Sequence, residues 1–216
     1  MPLDTKTIAE AVAKVKEQSK KTEFNQSIEL IINLRDIDMK KPEGKLQETI
    51  ELPHPPSRKA NVCVIATGEL ALKAKKAGAD HVLGPEELEG LATDKKRQKH
   101  LARDYDIFIA EAPLMPLVGK TLGATLGPRD KMPKPVPPNA DIKSQVEKLQ
   151  KTITLRLRSQ PVLQCKIGME DMEDKEITEN ILAVTRRLEG KLKRGLKNIA
   201  TICLKTTMGK IVRIKP

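Results

Sequence analysis

The pattern of apolar residues changes twice along this chain, and that change constrains the fold more than any other feature. Residues 5–19 predict an amphipathic helix, and Ile-rich, strand-like segments follow it. Between Asn61 and Gln150, apolar runs of strand length alternate with helical stretches, which is typical of βαβ units in a parallel sheet. From Thr152 the first pattern returns. The chain is therefore predicted to leave one domain, build a second and come back.

The two outer segments have the pattern of a single α+β domain. Ile-rich Ser27–Leu34 predicts a strand, and Thr49–Leu52 predicts a shorter one that a proline cluster ends. After the inserted part come two strands, an amphipathic helix with an acidic start, and two closing strands. We therefore expect residues 1–58 and 151–216 to form one antiparallel sheet with helices.

Residues 59–150 are expected to form the inserted α/β domain. VCVIAT, HVLG and IFIAEA have the length and composition of strands, with helical stretches between them. A charged helical region is expected from Glu86 to about Arg103. Residues 127–140 contain five prolines and predict an irregular loop with polyproline character.

The charge balance favours a polyanionic partner such as nucleic acid, although an ordinary basic protein can have the same balance. The chain has 40 Lys and Arg against 29 Asp and Glu, a net charge of +11. Residues 59–150 account for +3 and the outer segments for +8, so the split domain is expected to bind more of the polyanion. With two Phe, one Tyr and no Trp, a platform of stacked aromatic rings is excluded. Any RNA would be recognised by shape, backbone and 2′-hydroxyls.

The sequence has no features of a membrane or metal protein. It contains no run of about 18 apolar residues and no secretory signal pattern, so we expect no membrane partner and a cytoplasmic location. The three cysteines lie far apart in apolar segments, and the three histidines are scattered without ligand spacing. We expect reduced thiols, no metal and no cofactor.

A nucleotide-dependent enzyme is the main alternative, because α/β domains often bind nucleotides. VGKT at 118–121 resembles the end of a phosphate-binding loop, but that loop needs a glycine where Leu114 stands. The first strand is followed by ATGEL, whose single Gly68 is not a dinucleotide fingerprint. No catalytic residues can be assigned from spacing, so we expect no enzyme. A general nucleic-acid-coating protein is a third possibility, disfavoured because no polybasic tail is present.

Two short features are candidates for RNA contact. The TTMG segment at 206–209 combines two hydroxyls, an adaptable Met and a glycine that permits close backbone approach, a set suited to a ribose face. The alternative is a simple turn. Phe24 precedes the first strand, and either a contact residue or a core ring fits that position.

Four segments together resemble one family. FNQSIEL, IDMKKPEGKL, LGPRDKMPKPVPPNADI and KTTMGKIVRIKP are similar to the family of the first protein of the large ribosomal subunit, in its archaeal form. The resemblance implies a split RNA-binding domain with an inserted Rossmann-like, three-layer α/β domain. It also implies a structural ribosomal protein that binds large-subunit rRNA at the mobile stalk, assists release of exit-site tRNA and represses translation of its own mRNA. Off the ribosome we expect a monomer.

The resemblance also implies which residues contact rRNA. They are Phe24, Ser27, Glu29, Lys166, Gly168, Thr206, Thr207, Met208 and Gly209. Two positions depart from the family pattern. Glu23 stands where a basic or small polar residue is common, which is expected to weaken a phosphate contact, and Asp130 replaces the usual glycine after GPR, which affects the expected loop conformation.

Overall fold

The computed structural model describes residues 4–20, 22–39, 46–56, 60–138, 141–157 and 159–214. Residues 40–45 of the IDMKKPEGKL motif and the predicted domain boundary at 58 and 59 lie outside them. The helices and strands in chain order are α1 (Thr5–Glu17), β1 (Ser27–Leu34), β2 (Gln47–Glu51), β3 (Val62–Ile65), α2 (Gly68–Lys76), β4 (His81–Leu83), α3 (Pro85–Leu91), α4 (Lys95–Asp104), β5 (Ile107–Glu111), α5 (Met115–Thr121), α6 (Gly123–Leu126), β6 (Lys134–Val136), α7 (Ile142–Gln150), β7 (Thr152–Arg156), β8 (Val162–Met169), α8 (Asp174–Lys191), β9 (Ile199–Thr206) and β10 (Val212–Ile214). None of the helices in these ranges is long and apolar enough to cross a membrane.

The chain forms two compact units. One, which we call the discontinuous unit, consists of Met1–Ser57 together with Lys151–Pro216. The other, the inserted unit, is Arg58–Gln150. The first contains antiparallel sheets with helices, and the second contains a parallel sheet with helices.

The discontinuous unit is built on a four-stranded sheet of order β10-β9-β1-β8, in which all neighbours are antiparallel. Along β1, Ile28, Leu30 and Ile32 are buried while the residues between them are partly exposed. This alternation follows from the two-residue period of a strand, which sends successive side chains to opposite faces. The buried face packs in one core with the apolar stripes of α1 and α8. The other face keeps its side chains partly exposed.

A smaller ladder lies where the chain leaves and re-enters this unit. β2 and β7 pair in antiparallel register from Gln47 opposite Arg156 to Glu51 opposite Thr152. The backbone N–H of Leu52 donates to the carbonyl of Lys151 at 2.8 Å, so the two chain crossings are adjacent. The inserted unit therefore departs and returns at one place on the discontinuous unit.

The inserted unit has a parallel sheet of order β4-β3-β5-β6. Its central strands are buried on both faces, because helices cover each side. One apolar core contains Cys63, Ile65 and Phe108, and a second contains Val64 and Ile109 from the same two strands. Near-continuous apolar strands such as VCVI are the sequence signature of such a buried parallel sheet.

The proline-rich segment was predicted as an irregular loop, and there the prediction was wrong. Lys134–Val136 forms β6, which pairs with β5 through Ala110 opposite Pro135. β6 stands at the edge of the sheet, where a residue without an N–H is tolerated because only one side of the strand needs partners. The prolines in this segment therefore led to the prediction of a loop where the structure has an edge strand.

Asp130 adopts the left-handed conformation, with φ 56° and ψ 26°, directly after the 3₁₀ turn Gly127–Arg129. A glycine enters this region without steric cost, and Asp enters it more readily than most other residues. The departure from the family pattern at this position is thus accommodated by the same backbone conformation that favours glycine.

The charged region predicted between Glu86 and Arg103 is two helices, α3 and α4. Asp94 separates them and caps α4, since its Oδ1 accepts from the N–H groups of Lys96 at 3.0 Å and Arg97 at 3.1 Å. An Asp at this position satisfies amides that have no partner within the helix.

Candidate nucleic-acid interface

The exposed face of the four-stranded sheet carries a row of charged side chains across three strands. Glu29 in β1 lies opposite Lys166 in β8 and opposite Lys205 in β9. Cross-strand neighbours on one face lie about 4.5 to 5.5 Å apart at Cβ, so each lysine is beside the carboxylate. The side chain of Lys205 makes no hydrogen bond or ion pair with any residue that the structure describes. The row therefore offers cationic groups on both sides of one acceptor.

The TTMG segment is a turn between β9 and β10 that is attached to the start of β1. The N–H of Thr207 donates to the carbonyl of Ser27 at 3.1 Å, and the two side-chain oxygens lie 3.2 Å apart. A further bond from Gly209 N–H to the carbonyl of Thr206, at 3.1 Å, closes the turn. The segment is therefore a turn, as one of the two interpretations expected. Of its own two hydroxyls only that of Thr207 reaches the rim of the sheet, beside Ser27, because Thr206 is fully buried.

Gln26 anchors this turn from inside the unit. Its side chain is fully buried, and its Oε1 accepts from the N–H of Met208 at 2.9 Å. Its Nε2 donates to Ser19 Oγ at 3.0 Å and to the carbonyl of Lys20 at 2.6 Å. One amide group thus connects the end of α1, the entry to β1 and the exposed turn.

Large apolar side chains are exposed around this end of the sheet. Phe24 is 54% exposed and Met208 is 59% exposed, which excludes a core position for either in this conformation. Ile211, two residues beyond the turn, is 60% exposed. Exposed apolar groups bordered by polar ones are typical of binding surfaces. Thr22 Oγ1 donates to the carbonyl of Phe24 at 2.7 Å and fixes the backbone there.

Two of the nine predicted contact residues are buried. Thr206 is fully buried, and its hydroxyl has no hydrogen-bond partner among the described residues. Gly168 is buried on the core side, where an added Cβ would lie 3.0 Å from Met172 Sδ and 3.3 Å from Ile177 Cγ1. These two positions shape the surface from beneath, whereas Phe24, Ser27, Glu29, Lys166, Thr207, Met208 and Gly209 are at least partly exposed.

Sequence reasoning missed Gln26 and Lys205, although both carried a signal. Gln26 is two residues before Ile28, in phase with the buried positions of β1, and a polar residue in that phase needs internal partners. Lys205 is in phase with the exposed face of β9 and lies opposite Glu29. Both inferences require the strand register, which a single sequence does not give.

The inserted unit has a site where nucleotide-binding folds hold their ligand, but one of the protein's own side chains occupies that site. In open parallel sheets, ligands bind at the carboxyl ends of strands where the strand order reverses, here between β3 and β5. At that point Glu111 Oε2 accepts from the N–H of Thr67 at 3.0 Å and from its hydroxyl at 2.8 Å. A carboxylate therefore lies at the start of α2, where a nucleotide would place a phosphate.

The buried thiols are not nucleophiles. Burial raises the pKa of Cys63 to about 12, with the charge of Glu87 adding to the effect, and burial alone raises the pKa of Cys165 to about 12. Reactive cysteines instead have a lowered pKa. Both thiols are protonated at neutral pH. Cys63 is fully buried in a core of the inserted unit, and Cys165 is partly buried and packs against the core of the discontinuous unit.

The two units define a protein with a discontinuous α+β unit interrupted by an α/β unit. Residues 15–210 match the Ribosomal protein L1p/L10e family. The chain is 44% identical to the large ribosomal subunit protein uL1 of Methanothermobacter thermautotrophicus, covering 96% of this chain and 98% of that protein. It is 46% identical to the protein of that name from Hyperthermus butylicus, and the match covers 96% of this chain and 95% of that protein. The identity to the Pyrococcus abyssi protein is 44%, covering 100% of this chain and 98% of that protein.

The chain therefore belongs to the ribosomal protein L1p/L10e family. The resemblance found in the four sequence segments is confirmed, including its archaeal character. Because the relatives are ribosomal proteins by name, the prediction that the chain is not an enzyme is confirmed as well.

Proposed function

We propose that the chain is a structural protein of the cytoplasmic large ribosomal subunit whose discontinuous unit binds large-subunit rRNA at the mobile stalk. The observation that carries this proposal is the anchored turn. Gln26 holds the backbone of Met208, so that Thr207 and Met208 project beside the cationic sheet face. A surface held in place before binding loses less entropy when it binds. Family membership supports the ribosomal setting.

The chemistry of this surface suits the backbone of folded RNA. The hydroxyls of Ser27 and Thr207 each donate and accept, which matches ribose 2′-hydroxyls. Met208 and Phe24 supply apolar contact with ribose faces. Lysines of the exposed face contact phosphates, and Glu29 accepts from a 2′-hydroxyl or a base amino group. Such a surface recognises the shape of folded RNA and does not require stacking of bases on several aromatic rings.

We also propose the finer roles that the family resemblance implies. The chain assists release of exit-site tRNA, represses translation of its own mRNA by binding it, and is a monomer off the ribosome. If mRNA and rRNA use the same surface, the two RNAs compete for the protein. An mRNA leader fragment would then displace a labelled stalk fragment from the wild type, and binding of both RNAs at the same time would contradict the shared site.

Substitutions in the turn test the proposed rRNA surface. Thr207→Val keeps the shape but removes a hydroxyl, and a bond left unpaired away from water costs about 1 to 3 kcal/mol, so stalk rRNA should bind about tenfold more weakly or worse. Met208→Asp should weaken binding further through repulsion of phosphates. The control is Lys95→Ala on the inserted unit, which should leave stalk affinity nearly unchanged.

Affinity and thermal melting should be measured together for the three variants. A melting temperature that stays constant while affinity falls assigns the loss to contact rather than unfolding. If Thr207→Val is normally folded and binds as tightly as the wild type, the turn is not part of the interface.

A further inference from the structure

The sulfur-containing side chains of this chain differ in their access to oxidants. Oxidation of a cysteine requires an accessible thiolate, but Cys63 and Cys203 are buried, and burial raises the pKa of Cys63 and Cys165 to about 12. Among the described methionines, Met208 is 59% exposed and Met132 is 43% exposed. The others are half-buried, namely Met39, Met115, Met169 and Met172. The most exposed sulfur-containing residue that the structure describes is therefore Met208.

The TTMG turn holds Met208 outward because its backbone is tied to the interior of the unit. The N–H of Met208 donates to Oε1 of the fully buried Gln26 at 2.9 Å. The N–H of the preceding residue, Thr207, donates to the carbonyl of Ser27 at 3.1 Å. A backbone fixed at these two bonds also fixes the direction of the Cα–Cβ bond, so the side chain cannot turn inward by movement of the loop. The thioether that is available for contact with RNA is thus equally available to a dissolved oxidant.

Oxidation changes the chemistry of this side chain from apolar to polar. A peroxide transfers one oxygen atom to the methionine sulfur, so that the O–O bond breaks, an S–O bond forms and water is released when the oxidant is hydrogen peroxide. The sulfoxide oxygen accepts hydrogen bonds but has no hydrogen to donate. It therefore finds no partner in RNA phosphates, which are also acceptors, and its removal from water on binding has a free-energy cost. The apolar contact with a ribose face is lost at the same time.

We propose that Met208 is a site of reversible oxidation by peroxides, and that its sulfoxide weakens the binding of stalk rRNA. The inference rests on the proposed rRNA surface, because Met208 lies within that surface. RNA that is already bound covers the side chain, so oxidation acts on protein that is free of RNA. Sulfoxide reductases with a thiol reductant return the side chain to methionine, and the oxygen leaves as water.

Hydrogen peroxide treatment of the full-length protein tests the site, with sulfoxides located by peptide mass spectrometry and each protein compared with itself before treatment. Oxidised wild type should bind stalk rRNA about tenfold more weakly, as expected for loss of one buried apolar side chain, with an unchanged melting temperature. Treatment with the two sulfoxide reductases, one for each epimer, should restore the affinity. Met208→Leu has a starting affinity of its own and should lose little of it on treatment. The matched control Met132→Leu, on the inserted unit, should lose as much as the wild type.

Bound RNA provides a second readout. Saturating stalk rRNA should slow oxidation of Met208 and leave the rate at Met132 unchanged. Three results would each overturn the proposal: equal losses of affinity in treated wild type and Met208→Leu, oxidation of Met208 at the same rate with and without rRNA, or oxidation of Met208 in the free protein as slow as that of half-buried Met172. An untreated wild type that does not bind stalk rRNA would instead contradict the proposed function, and this inference with it, so the two failures are distinguishable.

Discussion

At the scale of single residues, position 209 requires a glycine because of a buried neighbouring side chain. A Cβ at this position would collide with Thr206 Oγ1, whose hydroxyl is buried without a partner among the described residues. Gly209→Ala should therefore lower the free energy of unfolding by about 1 to 3 kcal/mol, as other overpacked sites do. The collision disappears if the hydroxyl is removed.

A double-mutant cycle in urea measures that coupling. Thr206→Ala alone should cost only about 1 kcal/mol, because it removes an unsatisfied buried hydroxyl together with one buried methyl group. In Thr206→Ala/Gly209→Ala most of the lost stability should return, giving a coupling energy of about 1 kcal/mol or more. Strictly additive costs would show that Gly209 is not selected by contact with Thr206.

The buried thiols make stability depend on alkaline pH. Burial raises the pKa of Cys63 and Cys165 to about 12, against about 8.5 for a thiol in an unfolded chain. A raised acid pKa means that the folded state retains protons which the unfolded state loses. The free energy of unfolding should thus be unaffected below about pH 8.5 and should fall as pH rises from there towards 12.

Thiol labelling at pH 8 checks the same point. The native protein should react slowly with a disulfide reagent at Cys63, and denaturant should expose it to rapid reaction. Fast labelling of Cys63 in the native state would contradict the burial that raises its pKa.

At the scale of elements, one buried amide determines where the exposed turn lies. Gln26→Leu keeps the approximate volume but leaves the Met208 N–H and the Lys20 carbonyl without their partner. Each buried group left unpaired costs about 1 to 3 kcal/mol, so the turn should shift or loosen and stalk binding should weaken about tenfold. Gln26→Glu keeps the acceptor for Met208, but it buries a carboxylate whose second oxygen faces the Lys20 carbonyl, so affinity and stability should both fall.

Hydrogen exchange distinguishes positioning from general destabilisation. In Gln26→Leu the Met208 amide should exchange faster, while amides in the middle of β1 keep their protection. Loss of protection throughout the sheet, with affinity falling in proportion, would assign Gln26 a purely structural role.

The elements also show how far the sequence determines the fold. The β1 prediction, Ser27–Leu34, is confirmed at both ends, because its alternating Ile and Leu residues match a half-buried strand. β6 escaped prediction because it consists of three residues and includes Pro135, and its strand character depends on pairing with β5. Gln26 escaped because its role depends on the turn 182 residues later in the chain. A local sequence pattern predicts local structure, but it does not show which distant segments pair.

At the scale of the whole molecule, the distribution of charge and the position of the two chain crossings favour assigning stalk binding to the discontinuous unit alone. The outer segments carry +8 of the net +11, and the exposed row of Glu29, Lys166 and Lys205 lies in the discontinuous unit. The adjacent crossings at Leu52 and Lys151 mean that a short linker closes the gap at small entropic cost. The inserted unit is thus expected to be dispensable for stalk binding.

The most direct test of this account is the stalk-rRNA affinity of a protein in which residues 59–150 are replaced by a short glycine and serine linker. Its folding is checked by a cooperative urea transition, and a scrambled duplex of equal length controls for nonspecific charge. We expect specific binding within a few-fold of the wild type, and loss of that binding on adding Thr207→Val. A folded protein that no longer distinguishes stalk rRNA from the scrambled duplex would contradict the assignment of RNA recognition to the discontinuous unit.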